Sequence, residues 1–377
     1  MIWDGKDECK HEWGNELKVI GNEYRNHLNP KKFWPSSIKI SEKNNASSGC
    51  FCLYCSAWRG QLGLEPTPDL YVKHLVEIFR EVRRVLRKDG IMFLILGDTY
   101  CGSGCGTNDY RTEASRSINK SDVMFTKHPP QKKKIAGLKP KDLVGIPWTV
   151  AFALRDDGWY LRSEIIWHKP NASPENVKDR PTRAHEQIFL LTKNKNYYFD
   201  QEAVKEKSVH PESLSGIRPR NPSKMAFLDP QHYKFRGNIG KDGKLGISGR
   251  VYPFRNIRSV WTIGTQTHRE AHFATFPEKL VEPMIKAGTS EQGCCPKCGS
   301  NWVRILRGRP AITLGWQPTC ECLPHEPIPC TVLDPFAGSG TVLRVAKMLN
   351  RNFIGIDLGY QEIQKKRIKI QKKLKAI

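Results

Sequence analysis

The stretch TVLDPFAGSGTVLRVAKMLNRNFIGIDL, residues 331–358, decides the reading of this 377-residue chain. TVLDPF (331–336) is a short apolar run closed by Asp334-Pro335-Phe336, and it predicts a strand. GSGTVLRVAKMLN (338–350) predicts a turn and a helix, and NFIGIDL (352–358) a second strand. Strand, glycine turn, helix and strand in that order is α/β grammar. Gly338 and Gly340 let the backbone come close to a ligand and expose N–H groups at the helix start. Asp357 ends the second strand 23 residues after Asp334, where an acidic side chain accepts the ribose hydroxyls of a nucleoside. The string has no P-loop lysine, which argues against ATP.

The same grammar runs upstream. A helical apolar spacing begins at Asp69 and stops by Gly90, and IMFLILG (91–97) follows as a buried strand. LVGIPWTVAFALRDDG (143–158) predicts a helix, and WYLRSEIIWHK (159–169) and EQIFLLTKN (186–194) predict two strands close enough to pair antiparallel. Asp98 and Tyr100 stand just past a strand end, where α/β folds place ligands, and are expected to line a base pocket. Residues 102–140 are polar, then lysine-rich, and read as an insertion. The tail after Gly359 reads as a solvated basic helix with a packed Ile/Leu stripe.

Lys and Arg number 61 against 38 Asp and Glu, a net charge of +23, which points to a polyanionic partner. Residues 203–258 concentrate this, with twelve basic and four acidic residues interleaved with Phe227, Tyr233, Phe235, Tyr252 and Phe254. Basic and aromatic side chains together suit phosphate contact and base stacking. No apolar run is long enough for a membrane span, and the N-terminus has no signal-peptide pattern, so a cytoplasmic protein is expected.

Twelve cysteines then favour metal sites over disulfides. Cys9-x-His11 with Cys52-x2-Cys55 forms one four-ligand set, and Cys295-x2-Cys298 with Cys320-x-Cys322 another. Cys50, Cys294 and Cys330 are spares. Four protein ligands leave no open position for water, so two structural Zn²⁺ ions are expected. They would staple stretches too polar to fold on a core alone.

VLDPFAGSGT followed by NFIGIDL resembles the S-adenosylmethionine site of the DNA amino-methyltransferases that act on N4 of cytosine or N6 of adenine, in the beta-class arrangement of phage and bacterial members. LEPTPDLYVKHLVEIFREVRRVLRKDG, LGDTYCGSG, KPKDLVGIPW, WYLRSEIIWHKPN, DRPTRAHEQIFLLTK, SVWTI and HFATFPEKLVEP extend the resemblance along the chain. It implies an α/β, Rossmann-like mixed sheet with zinc-binding and basic insertions, and site-specific methylation of double-stranded DNA. It also implies a bacterial or phage-infected cytoplasm and a cognate restriction endonuclease as partner. Asp334, Pro335, Phe336, Gly338, Gly340 and Thr341 fall on the family's methionine-side motif, and Asp357 on its ribose-binding acid. Phe273, Thr275 and Phe276 would wall the cofactor pocket.

The family holds the target amine with Asp, Asn or Ser followed by Pro-Pro and an aromatic residue, the aromatic stacking on a flipped base. This sequence has no such tetrapeptide: its Pro-Pro lies in His128-Pro129-Pro130-Gln131 and reads as loop. No catalytic residue is therefore assigned, and a chain that starts late or one that has lost activity are both expected to fit. In this fold the catalytic strand lies between 332–336 and 91–97, so both are expected to lack their central neighbour. The expected organisation is a zinc-stapled segment at 1–65, a catalytic half at 66–200 with the insertion 102–140, a basic target-recognition segment at 201–258, and a cofactor half at 259–377 with a zinc-binding insertion at 293–330. A non-catalytic zinc-containing nucleic-acid-binding protein and an RNA methyltransferase are the alternatives.

Overall fold

The structure, a computed structural model, describes residues 1–14, 17–18, 47–101, 138–208, 253–266, 276–308, 311–322 and 326–369. The chain divides into two compact units, residues 1–197 with 260–277, and residues 198–259 with 278–377. The expected insertion 102–140 and basic segment 201–258 lie mostly outside the described residues. No helix among the described residues is long and apolar enough to cross a membrane.

In the first unit, strands β1 (Ile2–Trp3), β2 (Leu17–Lys18), β3 (Ser47–Phe51) and β4 (Trp58–Gly60) form an antiparallel sheet in the order β1-β4-β3-β2. These strands are too short to show a period in the sequence. Helix α1 (Pro68–Val85) follows. Its start is one residue earlier than expected, because Thr67 caps it, accepting from the Leu70 N–H at 3.3 Å, and Pro68 fits the first turn. His74 of α1 is fully buried between Trp3 and Trp58, with ring centroids 4.5 and 5.4 Å away, and its Nδ1 lies 2.9 Å from Glu65 Oε1. This aromatic stack fastens the N-terminal sheet to the helix.

Strand β5 (Ile91–Leu96), helix α2 (Ile146–Asp156), β6 (Tyr160–His168) and β7 (His185–Thr192) continue the unit. β6 and β7 are antiparallel, as their short separation predicts. A fourth strand, β10 (Val260–Thr262), runs parallel to β6 and gives the mixed order β10-β6-β7-β5. Val72, Leu75, Val76 and Phe79 of α1 pack with Val150, Ala151 and Leu154 of α2 and with Leu94, Phe189 and Leu191 of the sheet. β5 has β7 as its one strand partner among the described residues.

The second unit holds the short pair β8 (Glu206–Lys207) and β9 (Phe254–Arg255), helix α3 (Glu278–Gly288), the hairpin β11 (Val303–Arg307) and β12 (Ile312–Gln317), and then β13 (Thr331–Asp334), α4 (Thr341–Met348), β14 (Asn352–Gly355) and α5 (Gln361–Lys369). β13 and β14 run parallel from Thr331↔Asn352 to Asp334↔Gly355, and β14 is the one strand partner of β13 among the described residues.

Asp98 is used differently from the expectation. Its side chain is 2% exposed and accepts the N–H groups of Thr99, Gly145 and Ile146 at 2.9, 2.9 and 3.1 Å. Gly145 starts α2 without a side chain to cap it, and Asp98 supplies the cap from the end of β5. Tyr100 lies under the Arg180 guanidinium, 3.9 Å from its ring centroid. Asp98→Ala should therefore lower unfolding stability by about 1–2 kcal/mol in urea titration, the cost of a lost helix cap. An unchanged midpoint would remove the capping role.

Candidate functional site: a glycine turn between two acidic strand ends

The parallel register brings Asp334 and Gly355 side by side, so the chain leaves both strands at the same end. Ile356 N–H donates to the Asp334 carbonyl at 2.9 Å and Ala337 N–H to the Ile356 carbonyl at 3.0 Å, which carries the pairing past the strands. Gly338 and Gly340 have φ of +48° and +81°, values that only glycine adopts without strain. A Cβ at Gly340 would meet Gln364 Cγ at 3.1 Å, whereas one at Gly338 would meet nothing nearer than the Phe336 carbonyl oxygen at 3.8 Å. Among the described residues the turn is thus packed on one side and open on the other. α4 begins here with no side-chain cap.

The turn is clamped by three side chains. Asp357 Oδ2 accepts the Gly338 N–H at 2.9 Å, and Asp357 Oδ1 accepts the N–H groups of Gly359 and Tyr360 at 2.9 and 3.2 Å. Gln364 donates to the Gly338 carbonyl at 2.8 Å. Arg367 donates to the Ser339 carbonyl at 2.9 Å and to the hydroxyls of Ser339 and Thr341 at 2.5 and 3.2 Å. Gln364 and Arg367 are buried, which corrects the reading of this helix as an apolar stripe under a solvated basic face. Sequence reasoning missed them because a polar residue in a charge run gives no sign of a buried carbonyl partner.

Burial pushes the Asp334 carboxyl above its ordinary value of 3.8; the Phe336 N–H opposes this, and the charge of Asp357 adds to it. Asp334 and Asp357 thus lie within electrostatic reach of each other, and a nearby cation would favour the charged form of Asp334. Phe336, Ile356 and Leu358, close to these acids in the chain, are exposed, at 48%, 55% and 85%. Pro335 is half-buried between Asp334 and Phe336, and Thr341 is buried. Of the remaining predicted wall residues, Phe273 and Thr275 lie outside the described residues, and Phe276 is half-buried two residues before α3.

Both predicted ligand sets converge. In each of Cys9, His11, Cys52, Cys55 and Cys295, Cys298, Cys320, Cys322, the four donor atoms lie within 4.8 Å of one another. Cys9 Sγ and Cys52 Sγ are 3.8 Å apart, the edge of a tetrahedron with bonds of about 2.3 Å. Each set contains the same knuckle: the residue after the second cysteine, Ser56 or Gly299, has φ of +60° or +73° and returns its N–H to the carbonyl of Cys52 or Cys295. The Ser300 hydroxyl draws Cys298 down to about 6, and the bond with Cys298 holds Cys322 up at about 12. Desolvation pushes Cys52 up, but the Cys55 N–H and His11 outweigh it and bring the thiol to about 6. Two of the spares have other partners: Arg59 donates to Cys50 at 3.4 Å, and Cys330 donates to Asn301 at 3.1 Å.

Arg367→Ala should leave the Ser339 carbonyl and two hydroxyls without their buried donor. We expect a stability loss of about 2–3 kcal/mol and faster amide exchange across 337–341. Unchanged exchange there would remove the clamp.

A family model described as DNA methylase matches residues 29–366. The chain is 36% identical to the Type II methyltransferase M.SmaI of Serratia marcescens over 311 residues, covering 82% of this chain and 77% of that protein. It is 37% identical to M.Cfr9I of Citrobacter freundii over 298 residues, covering 79% and 70%, and 42% identical to M.SfiI of Streptomyces fimbriatus over 355 residues, covering 79% of each. With its glycine turn and acidic strand ends inside the matched region, the chain belongs to the DNA methylase family.

Proposed function

We propose that the turn at 334–341 and Asp357 bind S-adenosylmethionine, and that the chain serves methylation of an exocyclic amine, N4 of cytosine or N6 of adenine, in duplex DNA. Among the described residues, the open side of the turn at Gly338, whose N–H is held by Asp357, is the observation that carries the reading. Asp334 would face the cationic end of the cofactor. Asp357 spends three acceptor sites on backbone N–H groups and keeps lone-pair capacity for ribose. Phe336, Ile356 and Leu358 offer apolar surface to an adenine. When bound, the cofactor supplies an electrophilic methyl group to the amine. The sequence holds no Asp/Asn/Ser-Pro-Pro-aromatic tetrapeptide to hold that amine, and which group holds it is left unassigned.

The basic segment 201–258 and the net charge of +23 support duplex DNA as the substrate. The matched relatives are named Type II methyltransferases, and a cognate restriction endonuclease is the partner this suggests. We assign structural zinc to both four-ligand sets, on the soft donors and their spacing. The expected segments 1–65, 66–200, 201–258 and 259–377 then correspond to a zinc staple, the catalytic half, target recognition and the cofactor half.

Calorimetry with S-adenosylmethionine tests the cofactor reading. Asp357→Ala should weaken binding at least tenfold; unchanged binding would remove the ribose role. A raised carboxyl is protonated at higher pH than usual, so affinity should fall as pH drops through the raised Asp334 value, above 3.8. Asp334→Asn should flatten that fall. Labelled methyl groups should appear on N4 or N6 of duplex DNA, and label on C5 alone would contradict the reading. Elemental analysis should give two zinc ions per chain, falling to one in Cys52→Ser and in Cys298→Ser. A metal-free protein purified without chelator would overturn the zinc assignment.

A further inference from the structure

The hairpin β11–β12 carries more exposed apolar surface than its fold requires. It is a two-stranded sheet with no third strand among the described residues. Ile305, Leu306, Ile312 and Leu314 are 39%, 46%, 63% and 61% exposed, and Arg307 is exposed beside them. The pairing steps from Ile305↔Gly315 to Leu306↔Thr313 and skips Leu314, a bulge that re-aims the strand. By alternation from this register, Ile305, Arg307 and Ile312 share one face, and Gly315 opposite Ile305 adds no side chain to it. Residues 303–317 contain three arginines and no acidic residue.

The base of the hairpin is fixed. Cys298 precedes it and Cys320 follows it, both in one converged four-thiol set. Arg304 donates to the Asp200 carboxylate at 2.9 and 3.0 Å and to Glu291 at 2.6 Å, and its guanidinium lies 4.3 Å from the Trp316 ring centroid. The half near the base is therefore anchored by an ion-pair network, while the half near the turn presents aliphatic side chains and Arg307.

We propose that this hairpin is a DNA-reading ribbon that enters the major groove of the substrate duplex. The proposal rests on the DNA methylase reading and adds a surface that reading does not assign. A major groove about 12 Å wide admits a two-stranded β-ribbon. Aliphatic side chains there meet the thymine methyl group, and arginine meets the O6 and N7 acceptors of guanine. The face Ile305–Arg307–Ile312 offers both chemistries on a rigid support, and the absence of acidic residues from the hairpin removes repulsion by phosphate. Among the described residues of the hairpin, Arg304 is neutralised by Asp200 and Glu291, and the exposed Arg307 is the cation that remains for a polyanionic duplex.

The test begins with a random pool of 30-base-pair duplexes, from which the full-length zinc-loaded chain selects its preferred sequences in the presence of S-adenosylhomocysteine. Arg307→Ala should lower affinity for the selected duplex by about tenfold or more and erase the preference at one guanine. The double variant Ile305→Ser, Ile312→Ser should weaken a preference for thymine. Zinc content and cofactor affinity should stay unchanged in both, which shows that the variants are folded. Unaltered affinity and sequence preference in both folded variants would overturn the ribbon and leave the methylase reading standing. A chain that selects no sequence while binding the cofactor would overturn the reading of a site-specific DNA enzyme and the ribbon with it.

Discussion

The backbone of residues 337–340 depends on polar side chains that reach it from later in the chain. Asp357 takes the N–H of Gly338, Gln364 gives a hydrogen to its carbonyl, and Arg367 holds Ser339 and Thr341. A turn with two positive-φ glycines is costly to order on its own, since glycine loses more conformational freedom than other residues. The three contacts fix the turn from behind and leave the side at Gly338 open. The helix α5 is accordingly part of the site: its buried face is Gln364 and Arg367, and its lysines face outward.

Besides the apolar core of α1, α2 and the mixed sheet, the chain has two converged sets of Cys and His donors. The N-terminal strands are two to five residues long, and the hairpin β11–β12 is largely exposed. Small sheets of this kind are marginal in water without a further constraint. Both are attached to knuckles whose donors converge, and both are tied to neighbouring helices or loops by buried contacts, the Trp3–His74–Trp58 stack in one and Arg304–Asp200 in the other.

The parts of the fold that were legible in the sequence are those written in local patterns. The strand–turn–helix at 331–348, the antiparallel pair at 160–192 and the two ligand sets each rest on spacing within a short window, or on two such windows. What escaped is long-range and polar. Asp98 sits where a ligand-binding acid is expected, yet it caps a helix that starts 47 residues later, because Gly145 cannot cap itself. Gln364 and Arg367 lie in a run of lysines whose outward look hides two buried side chains. The Trp3–His74–Trp58 stack joins residues far apart in sequence, and no local period announces it.

The proposed cofactor cradle is the open side of the glycine turn. A crystal structure of the chain with S-adenosylhomocysteine tests it most directly. A ribose hydroxyl is expected on the Asp357 carboxylate and the amino-acid end of the ligand beside Asp334 and Gly338, with the bonds from Gln364 and Arg367 kept. Ligand density at another surface, with Asp357 contacting backbone N–H groups alone, would contradict it.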